Sequence, residues 1–279
     1  MFPHEPQPDP IDTVSSTNNS PLPLPPISNK LLYAYRVLAK WFSFFIFGLN
    51  SVILGILIFP FMRLVLHPRT RFQKYGRRFV SFYFKIFILM MRILCIVELI
   101  PDDRKKYRNL SSKIIVANHP SLLDVVMLIS LIPNADCIAN THFKHHILSG
   151  VVRQLYILNS NDLHNVLNAC TESLKQGNCL IIFPEGTRTP RSRKAILKKG
   201  AARIALASGC SILPVHIGGT DKFGLGKKDP WTGFNPGERY IYRITAGAEI
   251  DPEKYTTLSA PAAAKYITEE IKSFLFPRH

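Results

Sequence analysis

Hydrophobic positions divide the chain into a long apolar beginning and a longer remainder in which short apolar runs recur. Residues 41–62 carry no charge, and Lys40 and Arg63 bound them. A helix of this length can cross about 30 Å of hydrocarbon. The pattern therefore predicts a membrane-associated helix that ends near Pro60, and the alternative is a helix buried in a protein core.

The next apolar block, residues 79–100, is interrupted by Lys85 and Arg92, which would share one face of a helix. Such a pattern is typical of a segment that lies at a membrane interface or re-enters one leaflet. Basic residues are dense from Arg63 to Val97, where no acid occurs, and this favours contact with anionic head groups. By the positive-inside tendency, the long C-terminal part would face the cytoplasm.

After residues 101–108 the pattern changes to short β-branched runs that alternate with helical stretches, which indicates an α/β domain. Strands are predicted at residues 113–117, 137–139, 155–158, 179–183, 212–216 and 240–245. Helices are predicted at residues 122–132, 163–175, 200–207 and 262–274. We expect three regions: a disordered proline-rich leader (1–29), membrane-associated helices (30–100) and the α/β domain (101–279).

Composition adds a strong positive charge, because Lys and Arg outnumber Asp and Glu by 35 to 19 and give a net +16. This charge suits nucleic acid, an anionic membrane or a phosphate-bearing substrate. Much of it borders the apolar segments, so we do not predict nucleic-acid binding. The five cysteines form no CxxC pair, which indicates neither a zinc knuckle nor a disulfide framework.

Polar residues concentrate in two segments that follow predicted strands. Residues 118–124 read NHPSLLD, and residues 183–189 read FPEGTRT. Ligands of open α/β sheets bind at the carboxyl ends of strands, so the two segments are predicted to face one pocket.

His119 and Asp124 lie too far around a continuous helix to meet, because residues five apart point about 140° away from each other. Pro120 keeps His119 extended and allows a helix to begin behind it. Asp124 would then reach back from the first turn to one imidazole nitrogen. The other nitrogen would accept a proton from a substrate hydroxyl, since the chain has no GxSxG serine. The alternative is a histidine and an acid that only cap a helix.

The second segment offers an acid at Glu185, a flexible Gly186, a hydroxyl at Thr187 and a guanidinium at Arg188, which suits bidentate contact with phosphate. More basic residues follow it at Arg191, Arg193, Lys194, Lys198, Lys199 and Arg203. A solvated basic face and a phosphate-rich ligand explain that run equally well. The spacing of three histidines invites a metal site, but no carboxylate accompanies His142, His145 and His146, and we predict no metal.

These segments resemble the NHxxxxD motif and the acidic-loop motif of the glycerolipid and lysophospholipid acyltransferase family, typified by 1-acylglycerol-3-phosphate acyltransferases. The resemblance covers about residues 85–245 and includes ILPVHI at residues 212–217. It implies a mixed sheet flanked by helices, preceded by helices that sit on the membrane. It also implies that His119 is the general base and Asp124 its orienting partner, and that residues 185–188 bind the acceptor.

The function implied by the resemblance is transfer of a fatty acyl group from acyl-CoA or acyl-carrier protein to the hydroxyl of a lysolipid, foremost 1-acyl-sn-glycerol-3-phosphate. The thioester is a cosubstrate, and no cofactor is predicted. The enzyme would act at the inner membrane with its catalytic domain on the cytoplasmic side. Intact His119, Asp124 and Glu185 argue against the alternative of a membrane-anchored binding protein that has lost catalysis.

Two positions depart from the family pattern. Asn140 and Thr141 stand where many members have a lysine, and Asn159 and Ser160 stand where members usually have an arginine. In the family both basic positions are linked to holding the acceptor phosphate. An acceptor without phosphate, such as a lyso-ornithine lipid or an aryl-polyene-type lipid, therefore stays open as an alternative.

Overall fold

The computed structural model describes residues 24–140, 156–159, 163–190 and 195–277 of the 279-residue chain. Its helices are α1 (Lys30–Ile53), α2 (Phe59–Val65), α3 (Arg69–Ile93), α4 (Arg104–Arg108), α5 (Asp124–Leu131), α6 (Leu163–Lys175), α7 (Gly200–Ser208) and α8 (Ala260–Leu275). Its strands are β1 (Val97–Pro101), β2 (Ile114–Ala117), β3 (Ala135–Asn140), β4 (Ile157–Asn159), β5 (Cys179–Ile182), β6 (Ile212–Gly219) and β7 (Tyr240–Ala246). Most of the predicted leader, residues 1–23, lies outside the described residues.

The strands form one sheet in the order β1-β7-β6-β2-β5-β3-β4. Neighbouring strands are parallel, except that β6 and β7 are antiparallel. The predicted mixed sheet flanked by helices is confirmed. Every residue of the central strand β2 is buried, as expected for a strand covered on both faces.

Alternation along β2 divides the core into two layers. Ile115 and Ala117 belong to the apolar cluster that includes α3 and α5. Ile114 and Val116 belong to the cluster that includes α6, α7 and α8. The sheet therefore lies between two layers of helices, and loops cover the edge at the carboxyl ends of its strands.

The apolar block 79–100 is not one helical segment, contrary to its interpretation from the sequence. Helix α3 ends at Ile93, and Val97–Pro101 is the edge strand β1, which pairs in parallel with β7. Between them Cys95 adopts a positive φ of 54°, which breaks the helix. Hydropathy does not change between α3 and β1, so only the pairing of β1 with the distant strand β7 shows where the helix ends and the strand begins.

The predicted end of the first helix near Pro60 is also wrong. One π-helical turn, Leu54–Ile58, joins α1 to α2, and the helix runs over 36 residues from Lys30 to Val65. Pro60 lies in the first turn of α2. There the change of hydrogen-bond register tolerates the missing N–H of a proline. Among the described residues this is the one helix long and apolar enough to cross a membrane.

Helices α1 and α2 pack antiparallel against α3. The rings of Phe47 and Phe87 lie 4.9 Å apart, and those of Phe59 and Phe72 lie 6.1 Å apart. Helix α3 contacts α5 of the α/β domain. The outer side of this helical hairpin is apolar and exposed, with side chains that include Leu38, Phe45, Ile56, Phe61, Phe82 and Ile93.

A buried ion pair joins the hairpin to the sheet. Arg77 of α3 makes a two-pronged contact with Asp136 of β3, with Nε 2.6 Å from one carboxylate oxygen and Nη2 2.9 Å from the other. Ser173 of α6 donates a further hydrogen bond to Asp136. A bidentate pair with its remaining lone pairs satisfied is the form in which buried charges are tolerated.

Candidate active site

His119 and Asp124 meet directly behind the central strand. Strand β2 ends at Ala117, and α5 begins at Asp124. The His119 Nδ1 atom lies 2.8 Å from Asp124 Oδ2. Asp124 is completely buried, whereas His119 keeps 16% of its surface exposed. The acid can therefore orient the ring while the ring stays accessible.

Asp124 is held by partners within its own segment. The Ser121 amide donates to Oδ2 at 2.7 Å, and the Ser121 hydroxyl donates to Oδ1 at 2.5 Å. With both oxygens occupied, the carboxylate favours the tautomer in which His119 carries its proton on Nδ1. Nε2 is then a proton acceptor, as a general base requires.

Tyr242 of β7, a strand separated from β2 by β6 alone, extends this network. Its hydroxyl lies 2.7 Å from Ser121 Oγ. Burial raises the pKa of Tyr242 well above its ordinary value of 10.0, so the phenol stays protonated and neutral. Sequence reasoning missed Tyr242, because the sequence predicts a strand at residues 240–245 but does not show which distant residue a side chain of that strand contacts.

The second segment contacts the first at both backbone and ring. The His119 amide donates to Glu185 Oε1 at 2.7 Å, and the Thr189 amide donates to the His119 carbonyl at 3.2 Å. The Phe183 ring stacks on the imidazole with centroids 4.2 Å apart. The structure thus places the two predicted segments at one site.

Glu185 is buried, and burial raises the pKa of its carboxyl group above the ordinary value of 4.5. The hydrogen bond from the His119 amide and the charge of His119 counteract this effect in part. Glu185 is therefore a buried acceptor for the backbone of the first segment.

Gly186 makes the tight turn that follows β5. Its φ is +72°, a conformation that favours glycine, and its amide donates to the Phe183 carbonyl at 3.0 Å. A Cβ at this position would approach the Lys198 ammonium to 3.0 Å. Thr187 is exposed at the outer side of the turn. Arg188 Nη1 donates to the Leu225 carbonyl at 3.1 Å, so the guanidinium is anchored to the loop between β6 and β7.

A pocket of about 310 Å³ opens beside His119. It is lined by parts of both segments, by the end of β6 and by the following loop, including His119, Glu185, Thr189, Gly219, Lys222 and Asp229. Mainly apolar walls with a few polar groups next to an accessible imidazole are the usual composition of a ligand site.

Lys222 is a charged residue of this pocket that sequence reasoning left without a role. It is 7% exposed, and its ammonium donates to the carbonyls of Ile241 at 2.9 Å, Gly218 at 3.3 Å and Thr220. It also lies 4.6 Å from the centre of the Tyr242 ring. Burial lowers the pKa of Lys222 to about 8.

The two positions that depart from the family pattern are neighbours. Asn140 and Asn159 are register partners at the carboxyl ends of the parallel strands β3 and β4. Residues 141–155 and Ser160, including the histidines at 142, 145 and 146, lie outside the described residues. Within the described part of the chain, no group of three or more His, Cys, Asp or Glu is placed to hold a metal ion.

The fold and these contacts define an α/β domain with a histidine–aspartate site at the carboxyl edge of a mixed sheet. Residues 100–218 match the family model described as Acyltransferase. The resemblance to the acyltransferase family is therefore confirmed for this part of the chain.

Curated relatives agree with this assignment. The chain is 28% identical over 188 residues to the chloroplastic 1-acyl-sn-glycerol-3-phosphate acyltransferase BAT2 of Brassica napus, covering 63% of this chain and 52% of the relative. It is 33% identical over 116 residues to the 1-acyl-sn-glycerol-3-phosphate acyltransferase of Helicobacter pylori, covering 38% of this chain and 48% of the relative. The chain thus spans about half the length of these relatives.

A solved structure shares the fold. The crystal structure of the 1-acyl-sn-glycerophosphate acyltransferase PlsC from Thermotoga maritima aligns with a TM-score of 0.66 and 23% sequence identity. The alignment covers 86% of this chain and 94% of that one. At this identity the likeness shows the fold.

Proposed function

We propose that this protein is a membrane-associated acyltransferase that moves a fatty acyl group from a thioester to the hydroxyl of a lysophospholipid, foremost 1-acyl-sn-glycerol-3-phosphate. The observation that carries the proposal is the 2.8 Å contact between His119 Nδ1 and Asp124 Oδ2 beside an open pocket. The names of the curated relatives support the choice of acceptor.

In the proposed reaction His119 Nε2 takes the proton of the acceptor hydroxyl as its oxygen attacks the thioester carbonyl carbon. The tetrahedral intermediate then collapses, the C–S bond breaks, and the leaving thiolate receives the proton from His119. Asp124 stabilises the imidazolium that exists between these steps. The acyl group moves from the thioester to the acceptor, and the proton moves from the acceptor hydroxyl to the thiolate. The proposal therefore needs no cofactor.

The acceptor would lie on the side of the pocket lined by Glu185 and Thr189, next to the turn at residues 186–188. Arg188 is the residue proposed to contact the head group, because a guanidinium anchored through Nη1 keeps a fixed charge at the pocket edge. Gly186 and Thr187 form the exposed turn beside it. Glu185 would support His119 from below.

Membrane association is proposed from the hairpin. Its helix from Lys30 to Val65 is long and apolar enough to cross a bilayer, and its outer side chains are largely exposed. Exposed apolar surface of this extent marks a membrane or protein contact, and the basic residues of α3 suit anionic head groups. We propose that the α/β domain acts on the cytoplasmic face, with acyl-CoA or acyl-carrier protein as donor.

A second acceptor class is supported by one observation. Asn140 and Asn159 are adjacent strand ends, so the two departures from the family's phosphate-linked positions fall at one place in the sheet. An acceptor without phosphate, such as a lyso-ornithine lipid, fits neutral residues there.

The test is a mass-spectrometric acyl-transfer assay on membranes that contain the full chain. Acyl-CoA and acyl-carrier protein are each paired with lysophosphatidate, other lysophospholipids and lyso-ornithine lipid, and membranes with His119→Ala are the control. Product from lysophosphatidate that disappears in the variant supports the proposal. Product only from the phosphate-free acceptor supports the second class. An absence of product with every pair would overturn catalysis and favour a binding protein.

A further inference from the structure

Lys40 is a buried charge in the apolar helix α1. It has no exposed surface, although the uncharged segment begins at the next residue. Its ammonium donates to the carbonyl oxygens of Trp231 at 2.6 Å, Gly233 at 2.5 Å and, more weakly, Gly224 at 3.5 Å. Burial of an ammonium costs free energy unless its donors are satisfied. The folded state therefore depends on the hydrogen bonds from Lys40 to these three carbonyls.

All three partners belong to the β6–β7 loop, residues 220–239. Gly224 lies on the outgoing arm of the loop, and Trp231 and Gly233 lie on the returning arm. The two arms approach so closely that a Cβ on Gly224, whose φ is +87°, would lie 1.9 Å from the Gly233 carbonyl oxygen. Lys40 therefore links the two arms of the loop by hydrogen bonds, and the arms pack too closely to move independently.

The same loop holds both polar segments of the site. The Leu225 carbonyl, next to Gly224, accepts hydrogen bonds from the Leu122 amide at 3.0 Å and from Arg188 Nη1 at 3.1 Å. Asp229 Oδ2 stabilises this turn by accepting from the amides of Gly224 and Gly226. A short covalent and hydrogen-bonded path thus connects Lys40 to Arg188.

Aromatic side chains extend the junction between α1 and the loop. Trp231 lies 5.8 Å from Trp41 and 6.3 Å from Phe44, measured between ring centroids. Both tryptophans remain partly exposed, at 60% and 43%. Tryptophan is favoured where hydrocarbon meets head groups, so the junction lies where a membrane surface would contact α1.

We propose that Lys40 is a positioning residue that couples α1 to the acceptor side of the site through the β6–β7 loop. The inference rests on the proposed acyl transfer. Loss of the ammonium would loosen the β6–β7 loop next to Leu225, whose carbonyl anchors the guanidinium of Arg188. The effect is therefore expected on use of the acceptor, whereas binding of the thioester donor is unchanged.

The test compares wild type with Lys40→Met, which keeps an unbranched apolar side chain of similar length. Lys30→Met, at the exposed start of the same helix, is the matched control. Amide hydrogen exchange and acyl-transfer kinetics are measured on the full chain in one preparation of phosphatidylethanolamine and phosphatidylglycerol vesicles. If Lys40→Met does not fold, Lys40→Gln, which keeps a donor without the charge, replaces it.

We expect Lys40→Met to increase amide hydrogen exchange in residues 224–234. We expect the same increase in residues 186–190, which Lys40 does not contact. Acceptor kcat/KM should fall about 10- to 100-fold, the range expected for a displaced binding group, with donor KM unchanged. Arg188→Ala should lower acceptor kcat/KM by a smaller factor in the Lys40→Met background than in wild type, because the two residues act on one path.

Faster exchange confined to residues 224–234 would overturn the coupling, and so would equal losses for donor and acceptor or fully additive losses in the double variant. If wild type transfers no acyl group to any acceptor while exchange still spreads to residues 186–190, the proposed function fails and the coupling stands.

Discussion

The segments 118–124 and 183–189 follow neighbouring strands at the same edge of the sheet, yet they are held in different ways. In the first, the polar groups bind each other: Asp124 accepts from His119 and Ser121. In the second, the polar groups bind outside the segment. Glu185 accepts from the backbone of His119, and Arg188 donates to the backbone of the β6–β7 loop.

This difference separates two requirements of the proposed chemistry. Orientation of a base depends on one short contact, which a tight turn and a helix start can supply locally. Placement of an acceptor depends on several elements that must agree, so the second segment takes its position from the loop. Changes in the first segment should therefore lower kcat, and changes in the second should also affect acceptor KM.

The largest effect is expected for His119→Ala. Removal of a general base should lower kcat about 100- to 10,000-fold, while the melting temperature stays near that of wild type because the ring is partly exposed. His164→Ala, at an exposed histidine of α6, is the control. Turnover close to normal in His119→Ala would show that another group is the base.

Glu185→Gln tests whether the second segment supports the first. The change removes the negative charge that accepts the His119 amide, and loss of a charge-assisted hydrogen bond should lower kcat/KM about 10- to 100-fold. The rate is measured with the acceptor that gives product. An unchanged rate would mean that Glu185 only fills space.

The same variant is expected to lose less stability than wild type as pH rises. Burial raises the pKa of Glu185 above 4.5, so the folded state binds this proton more tightly than the unfolded state. Wild type therefore loses stability as pH rises from 4.5 through the raised pKa, and Glu185→Gln does not. As pH rises from 4 to 8, the melting temperature of wild type should fall relative to that of Glu185→Gln. Parallel curves would contradict the burial effect.

Arg188→Ala should act mainly on the acceptor. One lost charge-assisted contact corresponds to about a tenfold fall in acceptor kcat/KM, with a smaller fall for Arg188→Lys, which keeps the charge without the fork. Initial rates at varied acceptor concentration measure the effect. Unchanged acceptor kinetics in both variants would remove Arg188 from the proposed binding role.

The smallest effect is expected for Tyr242→Phe, which removes the hydroxyl that contacts Ser121. Ser121 still donates to Asp124, so kcat should fall only about 2- to 10-fold and acceptor KM should not change. Tyr266→Phe, at an exposed tyrosine of α8, is the control. A rise in acceptor KM would show that Tyr242 acts through the pocket and not through Asp124.

Local patterns predicted much of the α/β domain. Helix α6 has the predicted bounds Leu163–Lys175, and β5 begins at the predicted Cys179, because apolar periodicity and a glycine after the helix mark these ends locally. The pattern did not reveal β1, since its residues continue the hydropathy of α3. It also placed a helix end at Pro60, where a π turn allows the helix to continue.

For the site, the residues that sequence reasoning singled out differ from those it missed by their distance along the chain. His119 and Asp124 are five residues apart, and their meeting follows from Pro120 and a helix start. Tyr242 lies 121 residues from Ser121, and Lys40 lies 191 residues from Trp231. No local pattern encodes such pairs.

The sequence by itself determined the alternation of strands and helices, the apolar first helix and the two polar segments at strand ends, because each depends on steric and hydropathic preferences within a few residues. Only the tertiary structure decided the strand order, the anchoring of Arg188 and the junction of Lys40 with the β6–β7 loop. Those features depend on which distant backbone carbonyls come within reach of a side chain, and packing of the whole sheet with its hairpin determines that.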